Sequence, residues 1–131
     1  MSGETNLTKL LQGIKPKLNK GEFVYCFVDS LEHATALNPL CMFQEQEAVT
    51  VILPKKQADD ASFPYSVVCE WITLTVHSSL EAVGLTAAVS KALTEANISC
   101  NVVAAYYHDH IFVPVKDARR AVDVLENLSK Q

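Results

Sequence analysis

His108, Asp109 and His110 are the closest grouping of chemistry-bearing side chains in the sequence, set inside VVAAYYHDHIFVPV, residues 102–115. Alternate residues of a strand share a face, so His108 and His110 would point the same way, at a spacing that metal sites use. A metal site needs further ligands, and His33 and His77 are the only other histidines. A hairpin tip explains the same residues with Asp109 as turn former, so no metal is expected. Such a tip would supply a rim to a ligand site or a subunit contact.

His77-Ser78-Ser79 sets hydroxyls beside an imidazole. There is no Gly-x-Ser-x-Gly elbow and no evident orienting acid, so no catalytic residue is assigned. Cys26, Cys41, Cys69 and Cys100 are widely spaced, without the close pairs of a zinc site or redox dithiol. Free cysteine packs as a small hydrophobe, and all four are expected reduced and buried. Trp71, Tyr106 and Tyr107 admit an aromatic ligand box, but at strand spacing core or interface roles explain them better, given the area they bury.

These residues must be positioned by a chain of 131 residues, enough for one ordinary domain or two very small halves that share a core. Hydrophobic residues make up 49% and charged residues 20%, the balance of a folded globular protein. The formal charge is −4 and the eleven Lys and Arg are scattered, which lacks the footprint that phosphate-backbone binding requires. Nucleic acid is not an expected partner. The N-terminal residues carry Glu4 and interspersed lysines with no signal-peptide pattern, and no window is apolar enough to span a bilayer. A soluble, cytoplasmic protein that needs no cofactor is expected.

Leu7, Leu10, Leu11, Ile14 and Leu18 recur at helical spacing behind an N-cap at Thr5 or Asn6, and Pro16 and Asn19-Lys20-Gly21 end that helix. EFVYCFV is apolar on both faces and reads as a central strand. Leu31 to Leu40 is a loop or short helix, CMFQE and AVTVILP form a hairpin around Gln46-Glu47, and Lys55 to Pro64 is a polar linker. Tyr65 to Val76 reads as a long strand, HSSLEAV as a loop, and Leu85, Ala88, Val89, Ala92, Leu93 and Ala96 as one apolar stripe of a helix. ISCNVVAAYY and HIFVPV form a tight hairpin. Asp117 caps a last helix whose stripe is Ala118, Ala121, Val122, Leu125 and Leu128. From Tyr65 the order is strand, helix, strand, strand, helix: a ferredoxin-like split βαβ order with its final strand missing.

EWITLTVHSSL, EAVGLTAAVSKALTEANIS, CNVVAAYYHDHIFVP and KDARRAVDVLENL together resemble an ACT domain, of the subtype seen in aspartate kinases and the CASTOR arginine sensors. LNKGEFVYCFVDS and EQEAVTVILP are similar to the partner segment of short bacterial proteins with two ACT-like halves in one chain. The resemblance implies an α+β protein of ferredoxin-like (βαββαβ) ACT-type sandwiches, with an N-terminal half at 1–64 and a C-terminal ACT domain at 65–131. About six strands are countable where two full copies need eight, so either the halves exchange strands or the first is truncated.

The resemblance further implies a regulatory, non-enzymatic protein, allosteric and homodimeric, that senses a free amino acid where the loop meets the Gly84 helix. Local chemistry permits this independently. A helix N-terminus offers unpaired N–H groups and partial positive charge to a carboxylate, and glycine permits close approach. Ser78, Ser79, Glu81, Val83, Gly84 and Leu85 line that junction, with Asn101 and Val102 across the sheet. Glu81 would receive an ammonium group, although Ser78 and Glu81 also have capping-box spacing. Two rivals remain: an ACT-like interaction module without a ligand, and a small metal-dependent enzyme built on His108, Asp109 and His110. Any regulated protein partner is unspecified.

Overall fold

A computed structural model describes residues 6–76 and 82–130. In chain order its elements are α1 (Leu7–Gly13), β1 (Pro16–Leu18), β2 (Phe23–Val28), α2 (Leu31–Ala36), β3 (Cys41–Gln44), β4 (Val49–Pro54), α3 (Lys55–Asp60), β5 (Val68–Leu74), α4 (Leu85–Glu95), β6 (Asn101–Ala104), β7 (Asp109–Pro114), a 3-10 turn (Val115–Asp117) and α5 (Ala118–Leu128). They form two compact units that interleave in sequence. Gly21–Cys69 is one, and the residues through Lys20 join those from Glu70 onward in the other.

In the inserted unit, Gly21–Cys69, the strand order is β3-β4-β2-β5, and β5 enters it only with its first residues. Val28 lies opposite Val49 and Phe23 opposite Pro54 in an antiparallel register, while Phe23 and Val24 face Cys69 and Val68. Alternation turns Val24, Cys26 and Val28 to one side, where they pack with Val49, Val51, Leu53, Ala34 of α2 and Ala58 of α3. The other face is less covered than its apolar character suggests, since Phe27 is 62% exposed. Lys55 to Asp60 is helix rather than linker: its charges sit four apart, Lys55 with Asp59 and Lys56 with Asp60, and Ala58 is buried beneath them. Ser30 caps α2, its Oγ accepting from the His33 N–H at 3.1 Å, and so resolves the Leu31 to Leu40 segment as a short helix plus turn.

In the other unit the order is β1-β5-β7-β6, with α4 and α5 on one face. The strand missing from the C-terminal βαββα order is β1. Pro16, Lys17 and Leu18 lie antiparallel to Leu74, Thr73 and Ile72 and complete a ferredoxin-like βαββαβ set. Leu18 falls on the helical stripe by spacing alone. Pro16 cannot sit inside a helix, so α1 stops at Gly13 and the chain is extended from Ile14. Ile72, Leu74, Ile111 and Val113 from the strands, Leu85, Val89 and Leu93 from α4, Ala121 and Leu125 from α5, and Leu10 and Ile14 make the core. Asp117 precedes α5 but does not cap it with its side chain. It pairs with Arg120 at 2.9 Å, while the same guanidinium donates to the Ala96 carbonyl.

Cys26 and Cys69 are buried, Cys41 and Cys100 half-buried, and all four are thiols. Burial pushes the thiols of Cys26, Cys69 and Cys100 up, away from the reactive thiolate. Among the described residues no helix is long and apolar enough to cross a membrane.

Candidate functional site

Gly84 opens α4 with φ 100° and ψ −15°, the left-handed region that glycine occupies without steric cost. Among the described residues no side chain caps the helix, no acid occupies its first turn, and the first helical bond is Ala88 N–H to Gly84 O at 2.9 Å. The amides before Ala88 therefore have no intrahelical acceptor, and they carry the positive end of an eleven-residue helix. The apolar stripe fixes this end, since the Leu85 side chain is buried in the core with Val89 and Leu93. Leu85 can thus offer only its backbone.

A Cβ added to Gly84 would lie 3.1 Å from Leu7 Cδ2. The space that glycine vacates is therefore filled by α1. Val83, the residue before Gly84, is 83% exposed. Ser78, Ser79 and Glu81 lie outside the described residues. Across the sheet, Val102 sits opposite Ile111 and packs against the core on the α4 side. Asn101, opposite Phe112, is exposed and alternation turns its side chain to the other face. Gly84, Leu85 and Val102 thus share the helix side of the sheet; the Asn101 side chain does not join them.

A residue that sequence reasoning treats as a turn former stands there instead. Asp109 is the first residue of β7, opposite Ala104, with the reversal closed by Ala105 N–H to His108 O at 3.1 Å. It is only 7% exposed and shares its face with Ile111 and Val113. Its carboxylate makes no hydrogen bond or ion pair among the described residues and, since no fully buried side-chain oxygen among them lacks a partner, its oxygens keep contact with solvent. Burial pushes its pKa up, opposed by the charges of His110 and His108. His108 Nδ1 lies 3.4 Å from the Val76 carbonyl, which places this end of β7 beside the end of β5 from which the chain runs to Gly84. The carboxylate is therefore on the α4 side, at the end where α4 begins.

The sequence held a signal for this. VTVILP of β4 and DHIFVP of β7 are six-residue strands that each follow a short reversal, end in proline and lead into a helix, and they bury the same positions. At the first of these β4 has Val49, 6% exposed. The fold accepts valine there, so the carboxylate is not a structural necessity.

His110 belongs to a different arrangement on the helix-free face. Trp71 Nε1–H donates to His110 Nδ1 at 3.0 Å, Thr73 Oγ1 lies 3.1 Å from the same nitrogen, and Asn19 Nδ2 donates to Thr73 Oγ1 at 2.9 Å and to the Trp71 carbonyl at 3.2 Å. An indole N–H only donates, so Nδ1 is the acceptor and the neutral ring carries its proton on Nε2. Burial, then the nearby His108, lowers the His110 pKa, and Asp109 opposes them. With Nδ1 occupied and Nε2 protonated, His110 has no lone pair to give a metal shared with His108, whose ring is 6.4 Å away at 84°. Among the described residues no group of three or more His, Cys, Asp or Glu is placed to hold one. Tyr106 and Tyr107 are exposed at the tip, packed edge to face at 5.0 Å, and are not core residues.

Residues 2–70 and residues 66–127 each match the ACT domain, and the chain belongs to the ACT-domain family. It is similar to VC0802 of Vibrio cholerae, a protein of unknown function described as a possible transport protein, at 44% identity over 94% of this chain and 95% of that one, with a TM-score of 0.86. The fold is also that of the regulatory subunit of Thermus flavus aspartate kinase (8% identity, 87% of this chain and 96% of that one, TM-score 0.66). It recurs in Clostridium acetobutylicum aspartate kinase (11% identity, 88% of this chain and 34% of that one, TM-score 0.66). Comparison with curated protein sequences gives no match.

Proposed function

We propose that this chain is a non-enzymatic regulatory ACT protein that captures a free amino acid where β5 leads into α4. The observation that carries the reading is the position of Asp109, 7% exposed, at the end of the sheet where α4 begins with no described side chain capping it. An α-carboxylate would take the amides and the helix dipole, and an α-ammonium would take Asp109. Family membership supports the regulatory role. Binding then favours whichever arrangement of a cytoplasmic homodimer holds this junction closed, and the output passes to a separate partner.

Thermal-shift screening of the proteinogenic amino acids, with hits confirmed by calorimetry, tests it, because a ligand of the folded state alone must raise the melting temperature. Val83→Asp is the discriminating variant. A carboxylate beside a helix N-terminus suits the fold but repels a bound carboxylate, so affinity should fall at unchanged or higher melting temperature. Ligand-free protein that responds to no amino acid would instead support the interaction module.

A further inference from the structure

We propose that the helix-free face of the inserted unit binds an arginine side chain on a basic segment of a partner protein, held between Phe27 and Phe43 and against the Glu45 carboxylate. The site does not rest on the amino-acid reading, since it uses no residue of the α4 junction.

Register builds it. Thr50 of β4 lies opposite Phe27 of β2 on one side and Phe43 of β3 on the other. Residues directly opposite one another leave an antiparallel sheet on the same face, and Val24, Cys26 and Val28 hold the helix side, so all three point to the side without helices. Thr50 Oγ1–H donates to Glu45 Oε1, which sets the carboxylate beside the row that the two rings flank. Phe27 is 62% and Phe43 69% exposed, and Glu45 is exposed too, with no ion pair among the described residues. An antiparallel face open to water ordinarily carries polar side chains at alternate positions. Here two aromatic rings stand in solvent on either side of a hydroxyl and its carboxylate partner.

Spacing selects the chemical group. Strands two apart are separated by about 10 Å, so a group midway lies about 5 Å from each aromatic side chain, within the range of a cation–π contact to both. A guanidinium is planar, stacks on aromatic faces and presents paired N–H donors to a carboxylate, so one group satisfies both rings and Glu45. Charge selects the partner. From Gly21 to Pro54 the chain carries five carboxylates, Glu22, Asp29, Glu32, Glu45 and Glu47, and neither lysine nor arginine. A second copy docked through this stretch would bring carboxylates and no cation, whereas a basic segment meets it with opposite charge.

The test is an amide NMR titration of the full chain with three blocked peptides that alternate leucine with arginine, lysine or glutamate. The arginine peptide should shift the amides of Phe27, Phe43 and Thr50, bind more tightly than the lysine peptide and weaken as salt rises, while the glutamate peptide leaves these amides unmoved. Glu45→Gln keeps an acceptor for Thr50 and removes the charge; Phe43→Leu keeps apolar area and removes the ring. Each should weaken the arginine peptide by about threefold or more, with the rest of the folded spectrum unchanged. Equal binding of the glutamate peptide, undiminished affinity in both variants, shifts confined to other residues, or no shift with any peptide would overturn the proposal. So would concentration-dependent shifts of the same amides without peptide, matched by a dimer in sedimentation, which would assign the face to a second copy.

Discussion

The two units start their first helices in opposite ways. After β2 the chain turns within two residues, Ser30 Oγ accepts from the His33 N–H, Glu32 occupies the first turn, and α2 runs six residues. After β5 ten residues intervene, Gly84 opens α4 with no described side chain capping it, and the helix runs eleven residues with no acid in its first turn. The strand starts differ in the same sense, Val49 buried in β4 against Asp109 buried in β7. In the inserted unit a side chain caps the helix and an apolar residue starts the strand; in the other no described side chain caps α4 and a carboxylate starts β7. A fold repeated within one chain thus separates what the architecture needs from what a ligand would need.

Giving β7 the residue of its counterpart is the strongest way to break this contrast. Asp109→Val should abolish amino-acid binding and raise the stability of the free protein by roughly 1 kcal/mol, since a carboxylate whose charged form burial disfavours is replaced by the side chain β4 uses. The pH dependence follows from the raised pKa of Asp109. A carboxyl with a higher pKa folded than unfolded contributes fully below its unfolded value, about 3.9, and that contribution is lost as pH rises through the folded value. The advantage of the variant should therefore be present at neutral pH and shrink toward zero in acid, measured by urea unfolding across pH. A variant that loses stability at neutral pH would place an unseen partner on Asp109.

The helix starts give the next effect. Gly84→Ala should cost about 1–3 kcal/mol, from a side chain forced to φ 100° and from the 3.1 Å approach to Leu7. Ser30→Ala should cost about 1 kcal/mol, the typical loss of an N-cap. Adding Leu7→Ala to Gly84→Ala should recover the contact share of the loss but not the backbone share, and a double-mutant cycle by denaturant unfolding separates the two.

Most of the architecture was legible because periodicity carries it: the β5-α4-β6-β7-α5 order, the buried stripes of α4 and α5, and the β3-β4 hairpin follow from apolar spacing. What was missed has little periodicity to read. Three residues of β1 cannot display an alternation, and their pairing with β5 is more than fifty residues away. The charges of Lys55 to Asp60 read as polar linker because a single buried Ala58 is too small a stripe to announce a helix. At the candidate site, Gly84 was readable as a special backbone position, whereas Asp109 was explained too easily by turn chemistry. Only setting DHIFVP against VTVILP shows that its position is interior.

The smallest effect concerns the residue that follows. Where β4 places Thr50, β7 places His110, held as an acceptor by the Trp71 indole. Protonating Nδ1 would set a new N–H against that donor, which acts in the same direction as burial in lowering the pKa. An imidazole depressed in the folded state keeps its stabilising network above the unfolded pKa, about 6.5, and loses it as pH falls from there toward the folded value. Trp71→Phe should remove one hydrogen bond at a cost of about 1 kcal/mol and move the His110 titration upward. Nitrogen-resolved NMR should find the Nε2–H form of His110 persisting below pH 6.5 in the wild type. A His110 that titrates identically with and without Trp71 would show that burial alone sets its charge, and that the contrast between β4 and β7 at this position is one of packing.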